Sequence, residues 1–275
     1  MSATHTRTPK VSVVIPAWNS ESTLERALNS VRTQSLSAAE VWIVDDASTD
    51  PTVQLARSFI QKHRLTGWHV KAFGENRGPS RARNWGWDQA SGDYVAFLDA
   101  DDSWHPRKLE VQALWMEAHT GCTLSGHAHS LFAPGASNTP ENSITPGHTT
   151  ITPTQVLMCN PFITPSIMVR RSCALRFEEG RRHMEDHFLW MRMALQGHVL
   201  CRLNASLAYI HKAAWGASGL SAQMWRMEKA ELDNYSDLYR ANLIGPATCT
   251  LLHVWSILKH ARRLAIHTLR GASQA

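Results

Sequence analysis

Residues 76–102 read NRGPSRARNWGWDQASGDYVAFLDADD, and the fold is decided there. Arg81–Ala90 carries a helical pattern, and Tyr94–Leu98 is an apolar run of the length of a buried strand. Three carboxylates, Asp99, Asp101 and Asp102, follow that run directly. Upstream the same alternation repeats. Val11–Ile15, Val41–Val44 and Trp68–Phe73 read as strands. Between them, Leu24, Leu28 and Val31, then Val53, Ala56 and Ile60, recur at helical spacing, the first helix opened by a capping box of Ser22 and Glu25. Strand alternating with helix predicts an α/β fold, a mostly parallel sheet with helices on both faces. Ligands of such sheets gather at the carboxyl ends of the strands.

The acids at those ends carry the chemistry. Asp45 and Asp46 end the second strand in VWIVDDASTD, and Asp99 and Asp101 end the fourth. Glu185 and Asp186 stand at the start of a helix over His183–Gln196, in MEDHFLW. Crowded carboxylates repel one another unless a cation lies among them. Asp99-Ala100-Asp101 therefore suits a divalent metal shared with a diphosphate. Each cluster taken singly is equally a set of turn and cap residues. Two of them, each after a buried strand, favour the ligand site.

Four runs in this order, VSVVIPAWNSESTLERALNSV, VWIVDDASTD, the stretch from Asn76 to Asp102, and MEDHFLW, resemble the family 2 glycosyltransferases of GT-A (Rossmann-like) fold. The resemblance covers roughly residues 10–215. It implies an inverting, metal-dependent glycosyltransferase using Mn²⁺ or Mg²⁺ and a nucleotide-sugar donor, with UDP favoured by family habit. Pro16, Ala17, Asn19, Asp45, Asp46, Arg81, Asn84 and Asp99 would then bind the nucleotide, Asp46 meeting the uracil edge. Asp101, with Asp99 and His211, would hold the metal, and Asp186 would be the general base. Glu185 and Trp215 would face the acceptor, a sugar hydroxyl of a cell-surface polysaccharide or lipid-linked oligosaccharide. Trp18 stands where tyrosine is more usual, and Ala47 where glycine is common. Two other functions fit the same residues: a synthase passing sugar to a polyprenyl phosphate, and a non-catalytic nucleotide-sugar-binding subunit.

Domain limits follow. Residues 1–9 are expected to be disordered. Residues 10–220 form the GT-A domain, with a nucleotide-binding half at 10–120 and an acceptor-binding half at 121–220. Residues 221–275 are a helical tail. Ala133–Pro153 reads as a long surface loop, Ile163–Val169 as a strand, and Val199–Leu203 and Leu207–His211 as two short strands. MSATHTRTPK contains no secretory signal, and five scattered cysteines read as reduced thiols, so a cytoplasmic protein is expected. Lys259, Arg262, Arg263 and Arg270 beside Leu258, Leu264, Ile266 and Leu269 make the tail a candidate for peripheral contact with the inner face of the cytoplasmic membrane.

Several classes are set aside. His183 and His187 bracket Glu185 without the spacing of a zinc protease. No glycine-rich phosphate loop is present, against dehydrogenases and P-loop kinases. The net charge of +5 suits anionic ligands, but no nucleic-acid module is found.

Overall fold

The computed structural model describes residues 7–131, 146–211 and 224–272. Its first half is the expected alternation: β1 (Val11–Ala17), α1 (Leu24–Arg32), β2 (Glu40–Asp45), α2 (Thr52–Lys62), β3 (Trp68–Ala72), α3 (Pro79–Gln89) and β4 (Tyr94–Phe97). These four strands are parallel, with β1 between β2 and β4 and with β3 outside β2. Side chains alternate across the pleat. Val14, Val44, Val95 and Phe97 therefore enter one apolar layer with Ala82 and Trp87 of α3. Val13, Ile15, Ile43 and Ala96 enter the other, with Ala27 and Leu28 of α1 and Phe59 of α2. Helices cover both faces, as expected.

The second half adds β5 (Ser103–Trp104), α4 (Lys108–Ala118), β6 (Cys122–Leu131), β7 (His148–Ile151), α5 (Pro153–Met158), β8 (Met168–Arg170), α6 (Glu185–Leu195), β9 (Val199–Ile210), α7 (Met224–Arg240) and α8 (Pro246–Ala272). The strand order is β3-β2-β1-β4-β8-β6-β9-β5, with β7 also on β9. Here the sheet turns mixed, because β8 runs antiparallel to both β4 and β6.

Five local expectations change. The capping box at Ser22 and Glu25 does not form: α1 begins at Leu24, and the Ser20 carbonyl takes the amides of Thr23 and Leu24. A capping box closes instead on α5, between Thr152 and Gln155. The strand expected over Ile163–Val169 opens as a 3₁₀ turn, Thr164–Ser166, containing Pro165, and only Met168–Arg170 pairs. The two short strands expected over Val199–His211 are one strand of 12 residues, whose free edge is covered first by β7 and then by β5. Within the expected loop, His148–Ile151 is β7 and Pro153 opens α5. Arg7 pairs with Asp93, so ordered chain begins inside the segment expected to lack structure.

Candidate active site

The ends of β1 and β2 are tied together by the residues expected at the nucleotide. Asp46 donates its amide to the Ala17 carbonyl (2.8 Å). The Asn19 amide donates to the Ser48 hydroxyl (2.8 Å), and its side-chain oxygen accepts the Thr49 amide (2.9 Å). Asp45 is buried and turns back on its own loop, accepting from the amide and hydroxyl of Ser48. Ala47 has φ +63°, in the left-handed region where glycine costs least. Trp18 projects into solvent beside them.

Asp46 has a structural role of its own. Both its oxygens accept the Arg77 amide (3.1 Å each), and Oδ2 accepts the Gly78 amide (2.6 Å). Gly78, at φ +93°, makes the turn into α3 before Pro79. The carboxylate therefore sets the start of α3, the helix that supplies the cationic side chains of the cleft. Arg81 lies over the Phe73 ring at 4.0 Å and donates to the Glu75 carbonyl (3.3 Å), at the rim near the end of β3.

Two residues of α3 correct the reading of the sequence. Asn84, expected near the diphosphate, is buried, and its amide clamps the Phe177 backbone: Nδ2 donates to the carbonyl (2.8 Å) and Oδ1 accepts the amide (3.0 Å). Arg83, which was not singled out, lies at the centre. Its Nη2 contacts Asp99 Oδ1 at 2.8 Å and its Nη1 contacts Glu185 Oε1 at 2.9 Å. Side chains two apart on a helix point to nearly opposite sides, so Arg81 and Arg83 cannot share a role. Most of α3 is buried, and the available clue was an arginine set among apolar helix positions with no acid on its own helix face. Asp99 and Glu185 hold the guanidinium firmly charged, against the cost of its burial.

Asp186 stands in the first turn of α6, after Met184 at φ +56°. Its Oδ1 accepts the His187 amide (2.6 Å), and its Oδ2 faces Thr164 Oγ1 (3.3 Å) and Asn160 Nδ2 (3.4 Å). Burial raises its pKa most, and the negative charge of Asp99 adds to the rise; its hydrogen bonds and Arg83 act the other way. Glu185 is also pushed up, by burial first and by Asp186, although Arg83 opposes the shift. One oxygen of Asp186 thus holds the first turn of the helix while the other faces Thr164 and Asn160.

The segment holding Asn160 and Thr164 is fastened at both ends. After it, Trp104 Nε1, Gln112 Nε2 and Lys108 Nζ donate to the consecutive carbonyls of Pro165, Ser166 and Ile167 (2.7, 3.0 and 3.4 Å). Lys108 is fully buried over the Trp104 ring, and desolvation alone drives its pKa far down. Before it, the Tyr235 hydroxyl takes the Leu157 carbonyl (2.9 Å), while Trp255 Nε1 and Lys259 Nζ take that of Met158 (3.2 and 3.1 Å). Of these donors the sequence reading named Lys259 alone, and that as part of the basic tail.

The expected metal ligands divide. Asp99 turns to Arg83, whereas the charge of Asp101 reaches the His211 ring. His211 Nε2 bonds Ser103 Oγ (2.7 Å), and its amide donates to Asp102 Oδ1 (3.4 Å). Among the described residues no three His, Cys, Asp or Glu side chains gather as a ready-made metal cage. Carboxylate oxygens with one imidazole still fit a small divalent cation whose remaining ligands are diphosphate oxygens and water. Trp215 lies outside the described residues.

Comparison with known proteins shows the family and the fold. The sequence model for Glycosyl transferase family 2 matches residues 12–174. A protein of Bacillus subtilis (strain 168) named as a teichuronic acid biosynthesis glycosyltransferase, TuaG, is 27% identical over 252 residues, 91% of this chain and 97% of that protein. Among solved structures, S. aureus TarS 1-349 in complex with UDP-GlcNAc superposes with a TM-score of 0.69 at 21% identity, over 91% of this chain and 72% of that one. The mannosyltransferase PcManGT of Pyrobaculum calidifontis, in complex with GDP-Man and Mn²⁺, gives 0.67 at 20% identity, over 96% and 76%. At these identities the two structures establish the shared GT-A fold.

Proposed function

The chain belongs to glycosyl transferase family 2, and from that membership and the geometry of its cleft we propose an inverting transfer of a sugar from a UDP-sugar to a sugar hydroxyl, with Asp186 as the base. One observation carries the reading. Arg83 joins Asp99, at the end of β4, to Glu185, beside Asp186, so the donor carboxylates and the base share one cleft.

The nucleotide lies against the loops of Pro16, Ala17, Asn19, Asp45 and Asp46, with Arg81 at the rim and Asp99 toward the ribose. Asp186 Oδ2 takes the proton of the acceptor hydroxyl as its oxygen bonds the anomeric carbon. The bond from that carbon to the diphosphate oxygen breaks in the same displacement, and the nucleoside diphosphate leaves with the electron pair. With a single displacement and no protein nucleophile, configuration inverts. A divalent cation held by Asp101 with His211 would supply charge neutralisation to the leaving diphosphate. Arg83 is paired away from that charge and links Asp99 to Glu185. Glu185 and Trp215 belong to the acceptor side.

The acceptor is placed in a cell-surface polysaccharide or lipid-linked oligosaccharide, by analogy with the teichuronic acid assignment of TuaG. Work at the inner face of the cytoplasmic membrane follows from such an acceptor. Among the described residues no helix is long and apolar enough to cross a membrane, so contact there would be peripheral.

Thermal melting against UDP-, GDP- and dTDP-sugars, with and without Mn²⁺, tests the donor assignment. A UDP-sugar at 100 times its Kd should stabilise the native state by about 2.7 kcal/mol, only with metal present. Absence of any metal-dependent shift across the panel would remove the reading. Asp186→Asn should then abolish transfer while keeping donor binding; full transfer by that variant would point to an acceptor that needs no base, such as a polyprenyl phosphate.

A further inference from the structure

α8 is built with its polarity turned inside out. Four of its polar side chains face the protein: Ser256 donates to Glu228 (2.8 Å), Lys259 pairs with Glu231 (2.6 Å), His260 lies 3.6 Å from Glu228, and His253 contacts Ser236 (3.2 Å). The outward face is apolar. Leu251, Val254, Trp255 and Leu258, spaced i, i+3, i+4 and i+7, form one exposed stripe, with Ile257 on its flank. Leu251 is 70% exposed and Leu258 59%. Trp225 of α7, 70% exposed, stands 5.5 Å from the His260 ring at the same end. A helix surrounded by water would show the reverse arrangement. A contiguous apolar face of this kind marks a docking surface.

Charge identifies the occupant. From Leu238 to Ala275 the chain carries Arg240, Lys259, Arg262, Arg263 and Arg270 and neither Asp nor Glu. Arg262 is exposed on the same turn as the end of the stripe. Apolar side chains and tryptophan beside the exposed Arg262, on a stretch with no acid of its own, describe a helix lying in the plane of an anionic bilayer. Position agrees as well. Trp255, within the stripe, donates to the carbonyl of Met158, two residues before Asn160, which contacts Asp186. Two residues span roughly 7 Å, so a bilayer against α8 lies beside the acceptor side of the cleft.

We infer that the outward face of α8 docks the protein on anionic lipid, so that an acceptor carried on a lipid reaches Asp186 from the membrane surface. The inference rests on the proposed function for its acceptor, but the surface itself is testable without catalysis. Binding is driven by insertion of the stripe, with the basic residues as an electrostatic supplement.

Co-sedimentation of the full chain with phosphatidylglycerol–phosphatidylcholine vesicles, against phosphatidylcholine alone, reads this directly. The wild type should pellet with the anionic vesicles, and V254E/L258E should lose binding by about tenfold or more, since both side chains would insert. Both positions are exposed, so the variant should melt like the wild type. A wild type that stays in the supernatant, or a variant that binds equally, overturns the inference. Light scattering that finds a wild-type dimer dissolved by V254E/L258E, with no vesicle binding, assigns the face to a second copy and overturns it too. Metal-dependent stabilisation by a UDP-sugar would still stand in each case.

Discussion

Replacing Arg83 with methionine keeps the length of the side chain and removes the charge that Asp99 and Glu185 share. Glu185 is nearly as buried as the arginine, whereas about a third of the Asp99 side chain is exposed (6% for Arg83, 11% for Glu185, 29% for Asp99). With charge centres about 4 Å apart and an effective dielectric near 20, each pair contributes about 4 kcal/mol of attraction before desolvation. Most of that offsets the burial of the arginine itself. The measurable loss is the cost of leaving Glu185 buried and unpaired, about 3–5 kcal/mol, with little from the better-hydrated Asp99. Urea unfolding at neutral pH should show that loss. It should shrink as the pH falls, because Glu185 escapes by taking up a proton. The pH–rate profile gives an independent reading. Arg83 lowers the pKa of Asp186, so its removal raises that pKa, and the acid limb of kcat should move to higher pH. Arg83→Lys should restore part of the stability but not the two-armed geometry. An Arg83→Met protein within about 1 kcal/mol of wild type at neutral pH, with an unmoved acid limb, would refute the bridge as the organiser of the site.

Two further perturbations address the base and its support. Burial holds Asp186 above the ordinary carboxylate range, so the native state keeps a proton that the unfolded chain has released, from about pH 3.9 up to the raised native value. Native stability falls as pH rises through that window, and the deficit persists at neutral pH. Asp186→Asn should therefore melt above wild type at neutral pH, with the gap closing below about pH 4; parallel melting curves at every pH would mean the carboxylate is not desolvated. Gly126 of β6 faces Phe162, and an added methyl would come 2.3 Å from its Cδ1. Phe162 lies between Asn160 and Thr164 in the buried core, so Gly126→Ala should cost about 1–3 kcal/mol in urea unfolding. It should also lower kcat/KM through the displaced segment, and unchanged kinetics would show that the segment does not position the base.

The nucleotide-binding half was legible in the sequence because its signals are local. β1, β2 and β4 are short, largely buried apolar runs with helical spacing between them, and such parallel strands keep that pattern whichever neighbour they pair with; β3, at the edge, is only half-buried. Asp45, Asp46, Asp99 and Asp186 could be placed from the chain because each sits at the end of such an element. What lies across space could not be read in this way. Val199–Ile210 is one strand because β6 runs along it and β7 and β5 cover its far edge in turn, partners drawn from distant parts of the chain. The 3₁₀ turn at Thr164–Ser166 is fastened by donors from β5 and α4, which come from another part of the chain. Arg81 and Arg83 look alike in sequence, and only the packing of α3 sends Arg83 to Asp99 and Glu185 and Arg81 to the rim. In α8 the sequence showed basic and apolar residues side by side but not which of them point outward. The reason is common to all of these. Periodicity reports the local winding of the chain, whereas the role of a buried charge, an edge strand or an apolar face is set by the group that meets it from another element.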